Sequence, residues 1–216
     1  MIQLGENPWV LIILSTLEIL FIIVPPLISS WISRTTIKQE LHQIGVELSF
    51  SNLINKSTKA ALGIFIGIGL VLLSTLILFF FRDILAIAVF SEEFVSEGTE
   101  NAISTQLLNP TPLQFFIFVL IQFFIIGPCE ESFFRGFVIS KLKTKMPLIY
   151  VIVISSVFFT LFHVPPFLVP MSTIISYFGY YFSIGFILAL VFIYSNFSLI
   201  PSSLAHSVFN FLILIL

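Results

Sequence analysis

The chain has 216 residues, of which 58% are hydrophobic and only 9% are charged. A soluble globular domain carries about a quarter charged residues, so this composition excludes a soluble globule. The formal net charge is −2, and the sequence has no basic patch beyond a few lysines that flank apolar segments. We therefore expect a membrane protein with no nucleic-acid partner.

The apolar residues form long blocks, each near the roughly 20 residues that a helix needs to cross a bilayer. Strand-like alternation is absent, and helices satisfy their own backbone groups in lipid. The sequence predicts an all-α, polytopic transmembrane helical bundle of about six to eight spans. The six clearest spans are 9–32, 60–81, 112–142, 148–163, 171–195 and 199–216. We expect residues 1–111 to supply N-terminal spans and loops and 112–216 to form the core, within one membrane unit.

The charged connections between the spans predict an orientation. Basic residues concentrate in the connection 33–59 and in the stretch 141–145, so both should be cytoplasmic by the positive-inside rule. The loop 83–110 is acidic, which suits the outer face. The residues behind this prediction are Arg34, Lys38, Lys56, Lys59, Lys141, Lys143 and Lys145 on one side and Glu92, Glu93, Glu97 and Glu100 on the other.

Two features inside the predicted spans need a separate explanation. Segment 112–142 is long for one span, and Gly127 with Pro128 interrupts it, so either a kinked helix or two pieces would fit. In two pieces, Pro128 would begin a helix whose N-terminus faces Glu130 and Glu131. Glu18 lies within the first span, and a position near the outer interface is slightly favoured over one in a cavity.

Three sets of polar residues lie at membrane depth, where ionisable groups are expensive and are functional by default. Each set has helical i, i+4 spacing, so its members share a helix face. The sets are Glu130 and Glu131 with Arg135, His163 after Phe159, and His206 with Asn210. Any one of them alone could be structural, whereas the three together predict a buried site.

These residue types suit hydrolysis, which needs a base that activates water and donors for an oxyanion. Glu130 or Glu131 could act as the base, and Arg135 could neutralise the other carboxylate. Several familiar protease sites are excluded. No histidine is followed by glutamate, as the HExxH zinc motif requires; Asp83 is the only aspartate; and the GxSxG serine motif is missing.

The three sets, in this order, resemble the CAAX protease and bacteriocin-processing family of intramembrane proteases, which includes the CAAX prenyl endopeptidases. The matching motifs are Glu-Glu-x-x-x-Arg at 130–135, Phe-x-x-x-His at 159–163 and His-x-x-x-Asn at 206–210. The resemblance implies that Glu130 activates water with His163 as its partner. It also implies that Glu131 with Arg135 forms a supporting ion pair, and that His206 and Asn210 stabilise the oxyanion or complete the site.

The resemblance further implies a peptide or protein substrate cleaved near its C-terminus, in some relatives next to a prenylated cysteine. We expect contact with membrane lipids and a multi-pass location, in the plasma membrane of a prokaryote. The sequence specifies neither the substrate nor the oligomeric state. Glu130, His163 and His206 could be three ligands of a divalent metal such as zinc. A metal-independent glutamate mechanism is slightly favoured, because no spacing in the sequence brings three ligands together.

Two other classes of function are compatible with these residues. A secondary transporter or proton-conducting protein would also place glutamate, arginine and histidine near the midplane, and it could use a helix break at Gly127 and Pro128. Against it, the sequence has no inverted repeat. A non-catalytic immunity or scaffold protein is the second alternative, and it predicts that function survives the substitution of Glu130.

Overall fold

The computed structural model describes residues 2–46 and 53–216, and within these ranges the chain folds into eight helices. They are α1 (Pro8–Ser33), α2 (Ile37–Gln43), α3 (Leu53–Val89), α4 (Glu92–Glu100), α5 (Pro112–Leu142), α6 (Leu148–His163), α7 (Met171–Tyr194) and α8 (Leu199–Ile215). Two short strands, β1 (Ile2–Gln3) and β2 (Ile103–Ser104), pair in parallel. The predicted all-α bundle is confirmed.

Four of these helices are long and apolar enough to cross a membrane, namely α1, α3, α5 and α7. Helices α6 and α8 are apolar but shorter, with 16 and 17 residues. Large apolar side chains cover the outside of the bundle, and Phe65, Leu72 and Phe124 are each more than 70% exposed. Because lipid tails solvate such side chains, this surface is that of an integral membrane protein.

The helix bounds agree closely with the predicted spans, with one difference. Helix α3 extends over Leu53–Val89, well beyond the predicted 60–81. Its last part is widened by π-type turns at Phe79–Ala86, which carry Arg82 and Asp83. The two charges pair with each other at 2.7 Å, so the helix can continue past the point where charge suggested its end.

Helix α5 is continuous through Gly127 and Pro128, so the segment forms one long helix and the two-piece interpretation is wrong. Proline has no N–H to give to the preceding turn. The helix accommodates it with π-type turns at Gln122–Ile126, just before Gly127, and widens again at Ser132–Ile139. Such turns are frequent at functional sites. Here they flank the two glutamates.

Small residues let the helices that carry the polar groups approach closely. A Cβ at Gly63 would lie 2.6 Å from the Pro201 oxygen, and one at Gly67 would lie 2.7 Å from the Ala205 oxygen. Both glycines belong to α3 and both contacts to α8, so these helices meet backbone to backbone. The contact fixes the depth of α8 and of the polar residues on it.

The charged connections gather at two ends of the bundle. At one end, Lys141 Nζ lies 2.6 Å from Glu40 Oε2, which joins the two predicted basic connections, although residues 47–52 lie outside the described residues. At the other end, the acidic helix α4 packs on the start of α7, where Thr173 donates to the Gly98 carbonyl. This separation agrees with the charge pattern, and the orientation in the membrane stays a prediction.

Candidate active site

Glu131 is the centre of a closed ion-pair network. Arg135 lies one turn along α5, and its Nη1 is 2.7 Å from Glu131 Oε1, with both side chains fully buried. Arg135 Nη2 donates to the Gly185 carbonyl on α7. The guanidinium also lies over the ring of Phe159, 4.3 Å from its centroid, in a cation–π arrangement. The charge of Arg135 is therefore balanced and held on several sides.

His206 joins this network from α8. Its Nδ1 lies 3.0 Å from Glu131 Oε1, and a carboxylate between a guanidinium and an imidazole acts as an acceptor. Nδ1 then carries the hydrogen, which leaves Nε2 of the neutral ring as an acceptor. A carboxylate that orients a histidine in this way is common behind metal ligands and catalytic histidines. We call Glu131, Arg135 and His206 the ion-pair half of the site.

Glu130 faces His163 of α6. Its Oε2 lies 3.8 Å from Nε2 of His163, too far for a direct hydrogen bond but suited to one bridging water. His163 Nδ1 lies 2.9 Å from the Phe159 carbonyl. A carbonyl can only accept, so Nδ1 donates and Nε2 presents its lone pair toward Glu130. We call Glu130, His163 and the groups around them the open half.

The two halves meet at one point. One ligand atom each from Glu130, His163 and His206 lies within 4.8 Å of the others. The three residues come from α5, α6 and α8, so packing brings together what the sequence separates by 76 residues. Two histidines and a carboxylate are also a donor set that suits zinc. The residues therefore fit a divalent ion, and they equally fit a single water held between a carboxylate and two imidazoles.

Asn210 lies one turn beyond His206 on α8 and donates from Nδ2 to Gln122 Oε1, at 3.2 Å. The backbone carbonyl of Gln122 also accepts a hydrogen bond from Ser207. Gln122 is buried and lies in the widened turn before Gly127. Sequence reasoning did not single it out, although an isolated glutamine in an apolar helix is a usable signal for a polar contact.

Glu18 is the second residue that sequence reasoning placed differently. The turn that carries it packs against the segment Gly127–Glu131, and its Oε2 is covered by neighbouring atoms. Glu18 lies in a 3₁₀ turn at Leu17–Ile19 within α1, between apolar neighbours that are exposed on the outside of the bundle. The carboxyl group of Glu18 therefore lies inside the bundle, next to the open half, which favours the alternative in which Glu18 faces inward over a position near the outer interface.

A cavity of about 170 Å³ opens beside His163. Tyr181, whose ring centroid lies 4.8 Å from that of His163, forms one wall together with Tyr177. Residues 102–104, which include strand β2, form another wall. The open half is therefore connected to a space that a small segment of another molecule could enter, on the side of the bundle that carries the acidic helix α4.

The comparison with known families agrees with this geometry. Residues 112–212 match the model of a family described as type II CAAX prenyl endopeptidase Rce1-like. This part of the chain is similar to the Rce1-like family. No curated protein and no solved structure matches the chain.

The similarity to the Rce1-like family implies a protease, and the matched residues include all three motifs at 130–135, 159–163 and 206–210. The polar residues of both halves lie inside the Rce1-like region, with one exception. Glu18 lies in α1, more than 90 residues before the region begins. It is therefore a feature of this chain that the Rce1-like match does not explain.

Proposed function

We propose that this protein is an intramembrane endopeptidase in which Glu130 activates a water molecule for attack on a peptide bond. The observation that carries the proposal is the convergence of Glu130, His163 and His206 within 4.8 Å. A buried carboxyl group and two oriented imidazoles around one point are what a water needs to be held and deprotonated. The Rce1-like match supports the same class of reaction.

In the proposed reaction, the water lies between Glu130 Oε2 and His163 Nε2, which are 3.8 Å apart. Glu130 takes one proton as the water oxygen bonds to the carbonyl carbon of the substrate. The tetrahedral intermediate then collapses, the C–N bond breaks, and Glu130 passes the proton to the leaving amine. The products are a carboxylic acid and an amine, so atoms and charge balance with one water consumed.

The negative oxygen of the intermediate needs hydrogen-bond donors close by. We assign this role to Asn210, whose amide group carries two N–H donors, one of which is used on Gln122. The contact with Gln122 holds the amide plane in place. His206 has a different role. Its ring is fixed through Glu131, and its Nε2 can accept a hydrogen bond from the water.

A divalent ion held by Glu130, His163 and His206 would supply Lewis-acid activation of the water. The roles of the other residues would be unchanged, since Glu131 would still orient His206 and the Phe159 carbonyl would still orient His163. We favour the metal-independent route, in which the carboxyl group of Glu130 is the base. Chelation distinguishes the two routes.

The cavity beside His163 is the place where we propose that the scissile segment lies. His163 and strand β2 both line it. An extended peptide satisfies its own backbone groups by lying beside a strand. The family description makes a CAAX-type peptide the first substrate to test.

The experiment compares three forms of the purified protein in lipid nanodiscs, namely the wild type, Glu130→Gln and Glu93→Gln. Each is given a quenched fluorescent peptide that ends in a CAAX sequence, with its cysteine either farnesylated or unmodified. We expect cleavage by the wild type and by the control Glu93→Gln, which changes an exposed glutamate on α4, and none by Glu130→Gln. Cleavage of only the farnesylated peptide would identify a prenyl requirement, and cleavage of neither peptide by the wild type would contradict the CAAX-type substrate.

A further inference from the structure

His163 is the last residue of α6, so its imidazole ring has no following helical turn beside it. Within α6, the Phe159 carbonyl accepts the hydrogen bond from Nδ1. The ring centroids of Phe159 and Phe162 lie 4.2 and 5.4 Å from that of the imidazole. The side chain of His163 is still 22% exposed. A fixed direction of Nε2 toward Glu130 therefore depends on a contact from outside α6.

Tyr181 supplies such a contact from α7. Its ring centroid lies 4.8 Å from that of His163, and the two ring planes are tilted by 32°. Aromatic pairs at such separations are stabilised by about 0.5 to 1.5 kcal/mol beyond the area that they bury. Phe159 and Phe162 belong to the helix of His163 itself, whereas Tyr181 ties the imidazole to a second helix.

The ring of Tyr181 is itself held by packed side chains on α7 and around it. It packs against the buried cluster that contains Phe159 and Leu188, and also against a second cluster that contains Val169. Side chains that interdigitate in a packed interior have little free space in which to rotate. Tyr181 is therefore a firm support for the imidazole of His163.

The direction of the imidazole matters for the proposed reaction. His163 Nε2 and Glu130 Oε2 are 3.8 Å apart, and the reacting water is proposed to lie between them. Misplacement of a reacting group by about 1 Å can reduce a rate by about 100-fold. A contact that limits rotation of the imidazole therefore acts on the rate.

Tyr181 also lines the cavity of about 170 Å³ beside His163. A protein cavity of about 150 Å³ can hold a molecule of the size of benzene. The cavity thus has room for roughly one side chain of a substrate. Because the ring of Tyr181 forms part of the wall, its size limits the size of that side chain.

We propose that Tyr181 is a positioning and specificity-determining residue, whose ring holds the imidazole of His163 and limits the substrate side chain that fits beside it. The inference rests on the proposed function of Glu130 and His163. It goes beyond that function, because Tyr181 lies outside the three motifs at 130–135, 159–163 and 206–210.

The kinetic test compares the wild type with Tyr181→Leu, Tyr181→Phe and a control, Tyr194→Leu, in the full chain in nanodiscs. Tyr194 is the last residue of the same helix and is 83% exposed. With whichever CAAX-type reporter the wild type cleaves, we expect Tyr181→Leu to lower kcat about 10- to 100-fold. Tyr181→Phe keeps the ring and should retain most of kcat, and Tyr194→Leu should match the wild type. A wild-type kcat in Tyr181→Leu, or an equal loss in Tyr181→Phe, would overturn the positioning role.

Two further reporters separate specificity from a loss of stability. They differ in the residue after the scissile bond, which is valine in one peptide and tryptophan in the other. Leucine is smaller than tyrosine, so Tyr181→Leu should raise the kcat/KM of the tryptophan reporter relative to the valine reporter by about 10-fold or more. Partial unfolding would lower both values equally. An unchanged ratio would overturn the role of Tyr181 in specificity.

Nuclear magnetic resonance tests the positioning role even in a preparation that cleaves no reporter. The chain has three histidines, so isotope-labelled histidine gives few signals. In the wild type, His163 and His206 should each show a sharp Nδ1 proton signal, because each Nδ1 has an acceptor, the Phe159 carbonyl and Glu131 respectively. We expect Tyr181→Leu to broaden or remove the His163 signal alone, and Tyr181→Phe to keep both signals.

The same spectra distinguish failure of this inference from failure of the proposed function. An unchanged His163 signal in Tyr181→Leu would overturn the positioning role. Loss of both signals would also overturn it, because the effect would then not be specific to His163. A wild type that cleaves no reporter contradicts the proposed substrate class instead.

Discussion

Glu130 and Glu131 are neighbours on one helix, yet they lie in opposite kinds of environment. The ion-pair half holds Glu131 between Arg135 and His206 at 2.7 and 3.0 Å, with the Glu131 side chain fully buried. The open half leaves Glu130 facing His163 across a gap of 3.8 Å, next to a cavity. Successive helical residues point about 100° apart, so one Glu-Glu pair can supply both a rigid support and a reactive group.

Burial alone does not distinguish the two carboxylates. Both glutamates are buried, at 3% and 0% exposure, and both lie in the same motif. They differ in whether the charge is already balanced by fixed partners. Changes in the ion-pair half should therefore act first on folding, and changes in the open half should act first on rate.

The largest effect is expected from Arg135→Ala. The change leaves Glu131 as a buried carboxylate without its main partner, at a cost of about 3 to 5 kcal/mol. We expect a large loss of folded protein, measured as monodisperse yield in detergent and as melting temperature. If Arg135→Ala folded with wild-type stability, the expectation that changes in the ion-pair half act first on folding would be wrong.

A double variant tests whether the loss of stability in Arg135→Ala comes from the uncompensated charge of Glu131. The double variant Glu131→Gln with Arg135→Met removes both charges together, and we expect it to recover much of the stability that Arg135→Ala loses. The measurement is again the melting temperature. A double variant less stable than Arg135→Ala would show that the network contributes more than charge balance.

The second-largest effect, a loss of catalytic rate, is expected from Glu130→Gln in the open half. Glutamine has nearly the same size but cannot take a proton, so general-base catalysis, worth about 100- to 10,000-fold, should be lost. We expect little change in melting temperature, because no ion pair is broken. Retained cleavage would end the assignment of Glu130 as the base, and retained cellular function would favour the non-catalytic scaffold.

A smaller effect is expected at the second ion pair that involves α5. Glu40 Oε2 lies 2.6 Å from Lys141 Nζ. Burial raises the pKa of Glu40. Hydrogen bonds from Lys141, Thr35 and Ser29 outweigh burial and hold the pKa of Glu40 below its ordinary value. Lys141 is partly exposed, so the pair should contribute at most about 1 kcal/mol. We expect Glu40→Gln to lower the melting temperature slightly and to leave kcat unchanged.

The pH dependence of that difference follows from the sign of the shift. Because the folded state lowers the pKa of Glu40, the stabilisation is present above the unfolded pKa and is lost as the pH falls through the folded pKa. The wild type and Glu40→Gln should therefore differ at neutral pH and converge in strongly acidic buffer. A difference that grows on acidification would contradict the pairing.

We expect chelation to have no effect on cleavage. If the carboxyl group of Glu130 acts alone, a strong chelator should leave cleavage of the reporter unchanged. If an ion bridges the two halves, chelation should abolish cleavage and added zinc should restore it. Metal analysis of the purified protein checks the result, since a stoichiometric ion lost together with activity would overturn the metal-independent route.

Much of this protein was predictable from the order of its residues. Apolar length determined the spans, and five of the six predicted spans agree with the helices to within one residue. Helical spacing indicated that Glu131 faces Arg135, and the structure joins them at 2.7 Å. These features depend on local geometry, in which a separation of four residues along one helix is enough to place two side chains together.

Only the tertiary structure decided which side chains of different helices contact each other. His163 and His206 are 43 residues apart, and nothing in their spacing shows that both meet Glu130. The position of α8 depends on packing at Gly63 and Gly67, and that of α6 on packing at Gly185. Glu18 lies still further away, on α1. The sequence by itself determined which residues are polar at membrane depth, and helix packing determined which carboxyl group is closed in an ion pair and which is left to react.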